Sequence, residues 1–142
     1  IINISSLEGK QANKENVSHY ITFKHALNGF TKAVALENGV KGITSNAISP
    51  GAIETDLMKE AGPAVAESAG ITYQQFKENY AQDAAIKRLN TVEEVAGLSL
   101  FLCSDMGAGI TGAGLVTAHS SSSGVTKPEL SSRKILRGSS SS

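Results

Sequence analysis

The chain has 142 residues, 40% apolar and 18% charged, the size and balance of one small globular domain. Thirteen basic and 13 acidic side chains cancel to a formal net charge of zero, which gives no electrostatic case for nucleic acid or an anionic membrane as partner. No apolar run approaches the ~18 residues of a membrane span, and there is no signal-peptide pattern. Cys103 is the only cysteine, so no internal disulfide can form and a reducing, cytoplasmic setting is expected. Cys103 and the three histidines (His19, His25, His119) lack metal-ligand spacing, and no metal site is expected.

The chain opens without Met, inside a strand-like run Ile1–Ile4, as expected of a processed, truncated or fragmentary chain. Ser5 and Ser6 stand where that strand would end. A polar loop follows, with Ser18 as the expected N-cap of a long helix over Val17–Glu37. Phe23, Leu27, Phe30 and Val34 recur at helical spacing and predict one apolar face. Gly29 within that helix implies close packing, and Asn38-Gly39 supplies the stop. Gly42–Ser49 reads as a second strand, ended by Pro50-Gly51. Strand, helix and strand within about 50 residues is the spacing of a right-handed βαβ crossover, so the chain is expected to be α/β.

Ala52–Asn90 carries no strand signal. Asp56–Glu60 and Tyr73–Gln82 read as short helical pieces around a Gly/Pro/Ala-rich link, Gly62–Gly70. A stretch of this kind between core elements is expected to form a lid or binding region. A second core helix follows in TVEEVAGLSLFLCSD, with Thr91 as N-cap and Glu94 completing a capping box. Val95, Leu98, Leu100, Phe101 and Leu102 make it apolar on most sides and predict that it is well buried; Gly107 and Gly109 end it. Ile110–Val116 is a third strand candidate. Ten of the residues from Ser120 to Ser142 are serine, and the stretch is too polar to offset its ordering entropy, so 118–142 is expected to be a disordered tail.

The chemistry concentrates near the start. Tyr20 and Lys24 lie four apart, on one face of a helix. An ammonium beside a phenol favours the phenolate, and such a Tyr can exchange a proton with an alcohol or carbonyl oxygen. A hydroxyl from Ser6 could hold that same oxygen. Spacing alone does not decide: Tyr73 and Lys77 repeat it, and an isolated pair more often marks a solvated helix face. Context separates the two. Tyr20 follows a strand ending in hydroxyls and precedes a core helix; Tyr73 lies in the lid-like region and is assigned to packing or substrate contact.

INISS-LEG, YITFK, GITSNAISPGAIET, AAIKRLNTVEEVAGLSLFLCSD and ITGAGL together resemble the short-chain dehydrogenase/reductase family, in the family's order over residues 1 to about 116. The resemblance implies an NAD- or NADP-dependent oxidoreductase on a doubly wound, Rossmann-like parallel sheet, here a partial one of three adjacent strands with flanking helices. It implies that Ser6 orients the substrate oxygen, with Ser5 as runner-up because the loop to Tyr20 is a residue long. Tyr20 would be the general acid/base, and Lys24 would bias Tyr20 and bind the nicotinamide ribose. Pro50, Gly51, Ile53 and Thr55 would line the nicotinamide. Residues 56–85 would form the substrate lid, and the 17–37 helix would serve homo-oligomerisation. The substrate would be a small alcohol or ketone.

The residues resemble only the family's second half, 1–117. The Gly-rich phosphate turn is absent, and tight dinucleotide binding by these residues alone is not expected. After ITGAGLV the chain also departs from the family's Asp-Gly-Gly, so His119 is read as a tail residue. The rival class is a truncated, non-catalytic paralogue acting through association of the 17–37 helix. A Ser/Lys hydrolase lacks a nucleophile elbow.

Overall fold

The computed structural model describes residues 1–12 and 14–118. The serine tract and His119 lie outside the described residues. Three parallel strands form one sheet in the order β1 (Ile2–Ile4), β2 (Asn46–Pro50), β3 (Gly114–Thr117). Ile4 pairs with Ile48, and Ile48 with Leu115. Four helices accompany them: α1 (Ser18–Asn38), α2 (Asp56–Ser68), α3 (Tyr73–Asp83) and α4 (Val92–Cys103).

All five residues of β2 are buried, because helices cover both of its faces. On one face Ile48 packs with Val95 and Leu102 of α4, and Ile2, Ile110 and Leu115 surround them. Side chains alternate along a strand, so Asn3 and Ala47 point the other way, toward α1. There the Asn3 amide donates to Thr31 Oγ1 at 2.9 Å. One helix above and one below make the sheet doubly wound, as expected.

The second and third strands start later than the sequence reading places them. The second strand begins at Asn46 rather than Gly42. Gly42 instead closes a 3-10 turn after α1 with a φ of +73°, a conformation open to glycine. The third begins at Gly114 rather than Ile110. Residues 110–113 are held by Asn46: its amide donates to the Ile110 carbonyl at 2.7 Å and accepts from Ala113 N–H at 3.1 Å. A buried asparagine thus fastens the approach to β3.

The buried face of α1 is not the predicted one. Phe23 and Phe30 are 66% and 57% exposed, whereas Thr31 and Ala35 are buried. The sheet-facing stripe is Lys24, Asn28, Thr31 and Ala35, each one residue past the aromatic set, a rotation of about 100°. The cause is the 3-10 turn Leu7–Gly9, which presses its backbone against the helix. Asn28 donates to the Gly9 carbonyl at 2.8 Å, and a Cβ on Gly9 would stand 2.7 Å from that amide. So close an approach admits small and hydrogen-bonding side chains and turns the phenylalanines outward.

Smaller differences have local reasons. Gly29 has open space where a side chain would stand, so no close packing explains it. Ser18 is the first helical residue, and the cap position falls on Val17 without a side-chain bond. The expected link 62–70 is largely helix: α2 runs through Pro63 to Ser68. On α4, Thr91 and Glu94 form the predicted capping box. Leu100 is nonetheless exposed and Phe101 partly so, so the helix buries one face rather than most of its surface. It ends at Cys103, before the expected glycines, and Asp105–Gly107 continues as a 3-10 turn.

Candidate active site

In an open parallel sheet, ligands bind beyond the carboxyl ends of the strands. A cavity of about 510 Å³ opens there, bordered by Ser6 after β1, Pro50 and Gly51 at the end of β2, and Ala118 after β3. Tyr20 reaches it from the first turn of α1, and Ile53 from the segment that follows β2. Met58 of α2 and Phe76 and Tyr80 of α3 form the far wall. The 56–85 region therefore does face the cavity.

The two adjacent serines are sorted by strand geometry. Ser5 points inward and is buried, its hydroxyl donating to the Lys24 carbonyl at 3.2 Å. Ser6 points into the cavity and accepts from Glu8 N–H at 3.2 Å. Only Ser6 offers its oxygen where Tyr20 stands.

Lys24 follows Tyr20 by one helical turn, and its Nζ lies 5.5 Å from the Tyr20 ring centroid, in cation–π range. That amine donates to the Ile4 carbonyl at 2.9 Å, the last residue of β1. Thr55 is used differently from the expectation. Its hydroxyl accepts from Met58 N–H at 3.2 Å and caps α2, so it sets the helix start rather than the cavity wall. Ile53 has two duties: it lines the cavity and packs against the Ile48 core, while its backbone pairs with Asn90. The second Tyr/Lys pair stays structural. Tyr73 donates to the Met58 carbonyl at 3.2 Å and stacks on Phe76, and Lys77 pairs with Glu54 at 3.2 Å.

Sequence reasoning missed Glu8, Lys14 and Tyr80, all of which line the cavity. For Glu8 a signal exists: a carboxylate two residues past the strand-end hydroxyl, between Leu7 and Gly9, with no solvent-facing periodicity to explain it.

The arrangement defines a class. Serine, tyrosine and lysine gather at the carboxyl end of a doubly wound sheet, and the chain belongs to the short-chain dehydrogenase/reductase family of oxidoreductases. The family described as Enoyl-(Acyl carrier protein) reductase matches residues 1–119. Among individual relatives, a D-beta-hydroxybutyrate dehydrogenase of Rhizobium meliloti is 42% identical over 113 residues, covering 79% of this chain and 43% of the relative. The 3-oxoacyl-[acyl-carrier-protein] reductase FabG of Aquifex aeolicus is 37% identical over 112 residues, covering 79% and 40%. Among solved structures, L-sorbose reductase from Gluconobacter frateurii, complexed with NADPH and L-sorbose, superposes with a TM-score of 0.77 at 27% identity, covering 88% of this chain and 48% of that one. The chain thus spans less than half the length of the relatives it matches.

Proposed function

We propose that these residues form the catalytic half of an NAD- or NADP-dependent oxidoreductase that interconverts a secondary alcohol and a ketone. The observation that carries this is the single cavity joining Ser6, Tyr20, Pro50, Gly51 and Ile53. A substrate oxygen between the Ser6 and Tyr20 hydroxyls accepts a hydrogen bond from Ser6 and exchanges a proton with Tyr20. The Lys24 ammonium, held over the ring, offsets the negative charge that develops on the phenol oxygen. Lys24 has three donors and uses one on Ile4, which leaves donors for a ribose hydroxyl. Pro50, Gly51 and Ile53 offer a flat, largely apolar surface at the strand ends, fitting a nicotinamide ring. Thr55 shapes that surface through the start of α2. When bound, the nicotinamide supplies or accepts the hydride; the chain's own residues orient the oxygen and move the proton.

The test is Tyr20→Phe in the product of the whole reading frame containing these residues. The phenylalanine keeps the ring and removes the proton donor. Turnover is expected to fall by about 100-fold or more, in kcat rather than KM. Full activity in the variant would end the proposal.

The exposed Phe23 and Phe30 support an associating role for α1 as well, either with a second copy of the chain or, in a non-catalytic paralogue, with a related protein. Activity that disappears with Tyr20→Phe supports the enzyme. A cellular role that survives it supports the paralogue.

A further inference from the structure

Glu8 is 6% exposed and lines the same cavity as Ser6 and Tyr20. A buried carboxylate on a cavity wall is costly to keep and needs a reason. Its place is fixed by the backbone: Glu8 N–H donates to Ser6 Oγ, so the carboxylate sits two residues from the group that holds the reacting oxygen. Lys14 Nζ stands 3.8 Å from Glu8 Oε1, close enough to balance charge and too far for a hydrogen bond. A carboxylate offers about four acceptor positions, so a substrate donor can join the partners already there.

Lys14 is engaged on its other side too. Its Nζ lies 5.6 Å from the centroid of the Tyr80 ring on α3. An ammonium shared between Glu8 and Tyr80 is poorly placed to receive a carboxylate from the substrate. Apart from the tyrosines, the ionisable residues lining the wall are Glu8, Asp83 and Lys14, and the Lys24 ammonium over the Tyr20 ring is engaged by that ring and the Ile4 carbonyl. Such a wall repels an anionic substrate and rewards a neutral one that carries hydroxyl donors.

We propose that Glu8 determines specificity, and that the cavity takes neutral polyhydroxy ketones and their alcohols by accepting a hydrogen bond from a hydroxyl near the reacting carbon. This rests on the oxidoreductase reading above and narrows it. It separates the chain from the relative named for hydroxybutyrate, whose substrate is an acid.

The experiment compares three ketoses (L-sorbose, D-fructose, D-xylulose) with acetoacetate and aminoacetone as ketones of opposite charge. Each is supplied with NADH and with NADPH to the product of the whole reading frame. A ketose is expected to be the best substrate. Glu8→Gln is expected to lower kcat/KM for it by about 10-fold, because the amide oxygen that remains is an uncharged and weaker acceptor. The value for acetoacetate is expected to hold or rise. An equal fall on every ketone would mark Glu8 as structural and overturn the proposal. So would a parent enzyme that prefers acetoacetate or aminoacetone. If Glu8→Gln does not fold, Lys14→Gln carries the test: it should lower the acetoacetate-to-ketose ratio, and an unchanged ratio overturns the proposal. Turnover of the ketoses indifferent to Glu8→Gln overturns this inference alone. No turnover of any ketone overturns the oxidoreductase reading and this inference with it.

Discussion

Glu94 shows how one side chain ties sequence to stability. Its carboxylate accepts from Arg88 Nη1 at 2.9 Å and from Thr91 N–H at 2.9 Å. Arg88 first, then the Thr91 backbone, lower its pKa from 4.5 to about 2. A carboxyl depressed in the folded chain stabilises it above the unfolded value, and that stabilisation is lost as pH falls through the folded value. Glu94→Gln is therefore expected to melt at lower temperature at pH 7 and to lose less between about pH 4.5 and pH 2 than the parent. Circular-dichroism melts across that window check it, and added salt should shrink the difference because the pair is exposed. This cap was legible in the sequence because Thr-x-x-Glu is a local code. Thr55 was not: its position matches a cofactor motif, yet its hydroxyl serves the next helix start, a role visible only once α2 is placed. The family resemblance put Ser6 ahead of Ser5, and in the structure Ser6 lines the cavity while Ser5 is buried against the Lys24 carbonyl.

Two helical glycines make opposite predictions at the scale of elements. Gly29 on α1 has nothing near its missing Cβ. Gly29→Ala should stabilise the chain by up to about 1 kcal/mol through helix propensity alone. Gly62 on α2 faces the Tyr73 ring, and a Cβ there would collide with it. Gly62→Ala should lose more than propensity returns, pushing α3 away and weakening the Tyr73 bond to the Met58 carbonyl. Urea unfolding of both variants decides, and reversal of the order would show that α2 and α3 can separate freely. The α1 face illustrates why part of the fold stayed hidden. Apolar periodicity finds the largest side chains, and here they point away from the sheet. The sheet-facing stripe of Lys24, Asn28, Thr31 and Ala35 carries no hydrophobic signal. Glutamate at both Phe23 and Phe30 is expected to leave the melting curve little changed and, if α1 joins two copies as proposed, to lower the mass seen in light scattering.

For the whole molecule, the strand–helix–strand order could be read from spacing, because it depends on periodicity, whereas the covering of both faces of the sheet came only with the family resemblance. The cavity could not, since it joins the turn after β1, the end of β2 and the far helices across long stretches of sequence. Only residues matched by the family resemblance were foreseen there, and Glu8 and Lys14 were not. No helix among the described residues is long and apolar enough to cross a membrane. Among the described residues no glycine-rich turn joins a strand to a helix N-terminus; Gly107, Gly109 and Gly112 lie between α4 and β3. Titration of this chain with NADH or NADPH should accordingly show weak binding, with Kd well above the micromolar range of a site that holds pyrophosphate.

The bond from Lys24 to the Ile4 carbonyl carries a final consequence. It anchors the ammonium to the outermost strand of the sheet, whose far edge has no neighbour among the described residues. A strand secured on one flank only frays readily, and its carbonyls wander with it. Ser5 N–H bonds the Ile48 carbonyl, so the Ile4 N–H and carbonyl face that open flank, and a strand docked there would act directly on the group that holds the ammonium. A strand paired there would order the lysine through the carbonyl it grips, visible as slowed amide exchange at Ile4 with little change at Ser5.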